Sequence, residues 1–153
     1  MEQILNDKGK QTISDLITNY DKLGLRASGS YAKTLSYDVI KTATGYNFII
    51  WGKAYGEFME NGRGATRGSR PTSKGQPGEL IKAIKQWVKD KGVNISPYAI
   101  TAKIHRDGIK VPNRFNKGGV ISGVLNKKYI DDLMQDISTG RLDYYFSEIL
   151  NKF

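Results

Sequence analysis

Cysteine is absent from the 153 residues, and histidine occurs once, at His105. Without thiols the chain has no disulfide framework, no thiolate metal site and no cysteine nucleophile. No apolar run reaches the roughly 18 residues of a transmembrane helix, and the first residues lack the basic-then-apolar layout of a secretory signal. We therefore expect no cofactor and no membrane partner, and we expect synthesis in a cytoplasm-like compartment.

Familiar catalytic motifs are also missing, including the phosphate-binding loop, HExxH, GxSxG and the EF-hand loop. Glu57 and Glu60 share one helical face, where paired carboxylates can bind a metal or act as acid and base. Salt bridges to the nearby arginines are the simpler interpretation. His105 lies near the end of a predicted helix, where a role beside the helix dipole is favoured over general-base catalysis. We predict that the chain is not an enzyme, with no catalytic, cofactor-binding or metal-ligating residues.

Charge is abundant but unevenly placed. Residues 51–128 hold sixteen Lys or Arg against five Asp or Glu, whereas residues 129–153 hold two against five. A concentrated basic surface attracts polyanions such as nucleic acid. A chain with one cationic and one anionic part can also stack on copies of itself or on acidic neighbours. A merely solvated basic surface is the third interpretation, and charge alone leaves all three open.

Apolar spacing in the first third of the chain predicts a helix followed by a hairpin. A helical period covers residues 11–23, and residues 1–10 are expected to be a loose arm. Period-2 alternation predicts strands over residues 31–41 and 46–51, joined by a short turn. Both faces of the second strand carry apolar residues, which favours a strand covered on both sides.

The remaining two thirds read as mostly helical. Residues 109–125 are expected to be extended, with a strand or loop at 120–125, and a break is predicted at Thr139–Gly140. Helices are predicted over residues 53–60, 79–91, 97–107, 126–137 and 142–150. The result is a single α+β domain over residues 1–153, with an N-terminal helix, an antiparallel sheet built on the hairpin, packed C-terminal helices and a C-terminal helical appendage at 138–153.

A long basic loop over residues 61–78 is the main candidate for contact with a partner or with DNA. Connections of this length are usually functional or disordered, and we expect this one to be mobile in the free protein. The candidate contact residues are its cations Arg63, Arg67, Arg70 and Lys74.

A structural corner precedes this loop. We expect Tyr55, Phe58, Glu60 and Arg63 to fix the start of the loop. Trp51, Tyr55 and Phe58 form an aromatic group, and aromatics among arginines can stack single-stranded bases. Packing of the corner between strand and helix is the favoured interpretation.

The order of these segments resembles the HK97 gp10-like family of tail-completion and neck proteins from tailed bacteriophages. The resemblance covers about residues 12–137, and its last motif is an extended segment that contains Phe115. It lies in four stretches: residues 27–35 (ASGSYAKTL), 54–63 (AYGEFMENGR), 84–92 (IKQWVKDKG) and 98–109 (YAITAKIHRDGI).

The resemblance implies a structural virion protein at the head–tail junction. Copies would form a homo-oligomeric ring, sixfold or twelvefold, around the DNA channel, next to portal, neck and tail proteins. Basic residues facing the channel would contact phage DNA without reading its sequence. The alternative from another class is a sequence-nonspecific nucleic-acid-binding protein.

Overall fold

A computed structural model describes residues 1–66 and 78–150 and confirms the α+β class. Arg67, Arg70 and Lys74, three of the four candidate contact residues, lie outside these ranges. The helices are α1 (Glu2–Lys22), α2 (Tyr55–Asn61), α3 (Glu79–Lys91), α4 (Pro97–Asp107) and α5 (Lys127–Leu150). The strands are β1 (Ser36–Lys41), β2 (Tyr46–Trp51), β3 (Gly62–Arg63) and β4 (Ile109–Lys110), and a short 3₁₀ helix covers Ala32–Thr34.

The loose arm expected at residues 1–10 is wrong, because α1 already begins at Glu2. Leu5 and Gly9 are buried. Gly9 lies so close to the Tyr37 ring on β1 that a Cβ atom would overlap it. The glycine that indicated a flexible arm is instead a place where helix and hairpin approach closely.

The hairpin forms as an antiparallel pair, in the register that places Val39 opposite Phe48. The expected start at residue 31 is wrong, because residues 32–34 form a 3₁₀ turn, which the Thr34 hydroxyl closes by donating to the Tyr31 carbonyl at 2.9 Å. The expectation of cover on both faces is also wrong. The face with Ile40 and Trp51 stays about half exposed, while α1 packs on the other face.

Helices α3 and α4 confirm both predictions to the residue. Gly92 ends α3 in the left-handed conformation, and Pro97 occupies the first turn of α4. Residues 109–125 were expected to be extended, but only β4 is a strand there. Residues 120–124 form turns, so the loop and not the strand is the correct alternative at that position. Asn126 caps α5, because its side-chain oxygen accepts a hydrogen bond from the Tyr129 N–H at 3.1 Å.

The break predicted at Thr139–Gly140 is wrong, and α5 runs without interruption to Leu150. Gly140 faces α1, where a Cβ atom would overlap the Ile4 side chain. Residues 138–150 therefore continue α5 rather than form a separate helix after a break. Within the described ranges, no helix has the length and apolar character needed to cross a membrane.

The core that positions the site is a cluster around Tyr20, Tyr31 and Val120. The Tyr20 and Tyr31 ring centroids are 5.1 Å apart, and Val120 is fully buried. Tyr55 and Met59 of α2 pack against this cluster. The core thus joins α1, the segment before β1, α2 and the turn at residues 120–124.

Candidate functional site

The candidate site is the predicted corner around α2, and Tyr55 lies at its inner side. The Tyr31 and Tyr55 ring centroids are 5.7 Å apart, and the Ser30 and Tyr55 hydroxyl oxygens are 3.3 Å apart. Gly56 is buried directly against Tyr31, since a Cβ atom at residue 56 would lie 2.9 Å from that ring. The structure therefore brings residues 27–35 and 54–63 into direct contact.

Glu60 fastens the corner to a distant turn. Its carboxylate accepts a hydrogen bond from the Ile121 N–H at 2.8 Å and a longer one from the Ser122 N–H at 3.4 Å. The Ser122 hydroxyl donates to the same carboxylate. These partners replace the salt bridge expected from the nearby arginines, and they connect positions about 60 residues apart in the chain.

The ionised form of Glu60 is the favoured one. Burial raises the pKa of this carboxyl, but the hydrogen bonds from Ile121 and Ser122 outweigh it, so that the pKa of Glu60 lies below its ordinary value. A carboxylate that accepts several N–H and O–H bonds is stabilised in its charged form. Glu60 thus acts as an ionised acceptor that holds the turn.

A two-residue ladder closes the corner on its outer side. Gly62 pairs with Lys110 and Arg63 with Ile109, in antiparallel register. The Asn116 amide adds a hydrogen bond to the Met59 carbonyl at 2.8 Å. The start of the basic loop and the start of the segment at residues 109–125 are therefore fixed side by side.

Arg63 is half-buried, and its guanidinium donates to the Thr66 hydroxyl at 3.2 Å. The same hydroxyl lies 2.6 Å from Nδ1 of His105, and the Thr66 N–H donates to the His105 carbonyl at 3.0 Å. His105 does lie in the last turn of α4, as predicted. The contacts between Thr66 and His105 hold the first residues of the basic loop against α4, and Arg63 bonds to Thr66 within the loop.

Phe58 and Trp51 do not pack into the corner. Phe58 is 51% and Trp51 is 52% exposed, and the Trp51 indole N–H donates to Asp38 at 2.7 Å. The prediction that the aromatic group forms the corner core is therefore wrong for these two residues. Only Tyr55 of that group joins the aromatic core, through Tyr31.

Sequence reasoning missed the partners of Glu60. The turn at residues 120–122 follows Gly118 and Gly119, which both have positive φ angles. This pair of glycines is a signal for an irregular backbone with N–H groups free to bond outside the local chain. The signal does not say which acceptor those groups will meet.

Comparisons with protein-family models, with curated proteins and with solved structures find no match to this chain.

We expect Glu60→Gln to lower the free energy of unfolding by about 1–3 kcal/mol at pH 7, because one acceptor of the Ile121 and Ser122 bonds becomes an NH₂ donor. The folded-state pKa of Glu60 lies below the unfolded one, so its stabilisation is present above the unfolded value and is lost as the pH falls through the folded value. The difference between wild type and variant should shrink over that range.

Urea unfolding between neutral and acidic pH measures this difference. Glu57→Gln is the matched control, since Glu57 is exposed on the same helix, and it should change stability by less than about 0.5 kcal/mol. Equal effects of both variants, or a difference that does not depend on pH, would contradict the role assigned to Glu60.

Proposed function

We propose that this chain is a structural virion protein of a tailed bacteriophage. In this proposal it is made in the cytoplasm of the bacterial host and assembles into a ring at the head–tail junction, where DNA passes. Its contribution is non-covalent, with copies and neighbouring portal, neck and tail proteins as its partners. The sequence resemblance and the contacts of the corner support this role.

The observation that carries the proposal is the meeting of the first two resembling stretches. Residues 27–35 and 54–63 join through Tyr31, Tyr55 and Gly56, so that the two stretches form one structural unit. Glu60 and the β3–β4 ladder then attach the segment at 109–125 to this unit. A corner that fixes the bases of two long connecting segments suits a protein that interlocks with its neighbours.

Ring assembly also fits the distribution of charge. A closed ring of identical subunits uses heterologous contacts, in which one face of each copy meets a different face of the next. The stretch at residues 51–128 is cationic and the stretch at 129–153 is anionic, so faces built from the two stretches would attract each other. Cations left on the channel side would meet DNA phosphates, which position a protein but carry no sequence information.

Sequence-nonspecific nucleic-acid binding is a second candidate, and one observation favours it. Phe115 is 77% exposed, and the Arg114 guanidinium lies 4.4 Å from the centre of its ring. An exposed aromatic ring beside cations is a stacking platform for single-stranded bases. The turn that carries Phe115 is fixed by Asn113, whose side chain accepts hydrogen bonds from the N–H groups of Phe115 and Asn116.

DNA binding by the isolated chain separates the two candidates. A ring component should bind more weakly alone than the dissociation constant of about 10⁻⁴–10⁻⁶ M that is typical of sequence-nonspecific binding near physiological salt. Phe115→Ala should then change the affinity less than about twofold, because no base stacks on the ring. Fluorescence anisotropy with single- and double-stranded oligonucleotides over a salt series gives both values.

A dedicated nucleic-acid binder would behave differently in the same titration. It would bind single strands within this range or more tightly. The loss of one stacked base would then weaken binding by about 1–3 kcal/mol. Lys53→Ala serves as the matched control, because it removes a cation that sits beside Tyr55 instead of Phe115.

Removal of this chain from the phage that encodes it tests the proposed function itself. Without the ring, DNA-filled heads and finished tails should accumulate unjoined, and supplying the wild-type chain in trans should restore joined particles. Electron microscopy of negatively stained lysates counts the joined and unjoined heads and tails. Joined, infectious particles in the absence of the chain would refute the proposal.

A further inference from the structure

The exposed side of α5 carries a row of apolar side chains, which we call the α5 ridge. Its members follow one another every fourth residue and, apart from a serine in the middle, are all more than half exposed. They are Ile130, Met134, Ser138, Leu142, Phe146 and Leu150. Residues four apart line a single ridge of a helix, and such ridges are the elements that pack into grooves of other helices.

The α5 ridge does not face the rest of its own chain. Another side of α5 packs on α1, where the Tyr129 hydroxyl lies 2.8 Å from the Thr12 hydroxyl and Gly140 lies against Ile4. Because α1 begins at Glu2, the ten residues of α5 after Gly140 continue beyond this contact. At 1.5 Å per residue they extend the helix by about 15 Å.

A polar row borders the α5 ridge on one side. It consists of residues 131, 135, 139, 143 and 147, and it includes Asp131 and Asp143 but no Lys or Arg. Neither carboxylate has an ion-pair partner among the described residues. A surface that combines exposed apolar side chains with unpaired carboxylates fits a partner that is apolar and cationic.

The same chain presents such a surface on α3 and α4. Lys85 and Lys89 lie one turn apart on α3, and the Lys85 ammonium sits 4.9 Å from the centre of the Tyr98 ring. Tyr98 is 64% exposed, and Ile95, just before α4, is also more than half exposed. We call these four residues the α3–α4 face.

We infer that the occupant of the α5 ridge is a second copy of this chain, docked through its α3–α4 face. This contact presupposes the ring of the proposed function, and it adds which two surfaces meet between neighbouring copies. A pairing of two α5 ridges is less suited, because α5 carries five Asp or Glu against three Lys or Arg. Helices α3 and α4 together carry three against six, so the head-to-tail contact joins opposite charges.

Sedimentation velocity of the full chain from about 10 µM to about 1 mM, a range that covers weak contacts, tests this contact. The wild type should associate as concentration rises. Phe146→Glu and Leu142→Glu, one helical turn apart on the α5 ridge, should each raise the dissociation constant at least about tenfold, because a charge enters the apolar contact. Ile40→Glu is the matched control, since Ile40 is similarly exposed but lies on β1, and it should leave association unchanged.

Charge exchange tests which face is the partner. Lys85→Glu with Lys89→Glu should weaken association, as should Asp131→Lys with Asp143→Lys, whereas all four changes in one chain should restore it. Sensitivity to the ridge variants with no effect of the lysine variants would indicate an α5–α5 dimer and overturn the inference. A wild type that stays monomeric over the whole range would overturn it as well.

Incorporation of the chain into purified phage particles distinguishes this inference from the proposed function. If particles contain the chain and take up Phe146→Glu as well as wild type, the docking inference fails while the virion role stands. If the ridge variants abolish self-association but the chain is absent from particles, the docking contact stands and the virion role fails.

Discussion

Gly62→Ala is expected to lower the free energy of unfolding by at least about 3 kcal/mol. Gly62 has φ 80° and ψ −163°, a conformation that residues with a Cβ atom almost never adopt. A Cβ atom there would also overlap the Ile109 carbonyl oxygen of β4 and would lie 3.1 Å from the Val111 N atom. The neighbour is backbone, so it cannot move aside as a side chain would.

Gly108→Ala should have a comparable effect, because Gly108 directly precedes β4 on the other side of the ladder. Gly108 has φ 72° and ψ −163°, and a Cβ atom there would overlap the Arg63 carbonyl oxygen. The two glycines thus allow β3 and β4 to approach each other at the base of the basic loop.

Thermal and urea unfolding of both variants measures the loss. Gly64→Ala is the matched control, because it lies in the same segment, has no positive φ angle and has open space where the methyl group would go. It should change stability by less than about 1 kcal/mol. If Gly62→Ala and Gly64→Ala behave alike, the ladder does not hold the corner.

Tyr31→Ala is the second change with a large expected effect, about 3–5 kcal/mol of destabilisation. Tyr31 is 2% exposed and lies between Tyr20 of α1 and Tyr55 of α2, with Gly56 against its ring. Removal of the ring leaves a cavity where the two resembling stretches meet. Urea unfolding and near-ultraviolet circular dichroism should report the loss together.

Tyr31→Phe is the control, because it keeps the ring and its packing. Burial raises the pKa of the Tyr31 hydroxyl, with smaller contributions from Tyr55 and Glu60. A folded-state pKa above the unfolded one costs stability as the pH rises from the unfolded value through the folded one. Above pH 10.0, the ordinary pKa of tyrosine, the free energy of unfolding should therefore fall more for the wild type than for Tyr31→Phe. A difference in stability between the two proteins that stays constant at all pH values would contradict the burial of this hydroxyl.

The sequence predicted the elements whose signals are local. Helices α3 and α4 have a helical apolar period between a clear start and a terminal glycine, and both begin and end where expected. Strand β2 is a short apolar run after a turn, and it also forms as expected. In each case the boundary is set by residues within or next to the element.

The wrong predictions concern residues whose meaning depends on distant neighbours. Gly9 and Gly140 read as breaks, yet each lies inside a helix where another side chain approaches closely, Tyr37 in one case and Ile4 in the other. No local pattern distinguishes a glycine that ends a helix from one that makes room for a neighbour.

The candidate site was predicted only in part, because some of its contacts also depend on residues that are distant in the sequence. Tyr55 and Glu60 belong to the corner, as expected, but the partner of Glu60 is backbone about 60 residues away in the chain. Phe58 is a large apolar residue of the kind that usually packs into a core, yet it is half exposed. The sequence marks which residues form the corner, and the fold decides which of them face inward.

A density map of the intact phage particle would place this chain and count its copies, which makes it the decisive measurement for the proposed virion role. The account predicts a closed ring of six or twelve copies at the head–tail junction, with the α5 ridge of each copy against the α3–α4 face of the next. Absence of the chain from the particle, or its presence as isolated copies away from the DNA channel, would contradict the account.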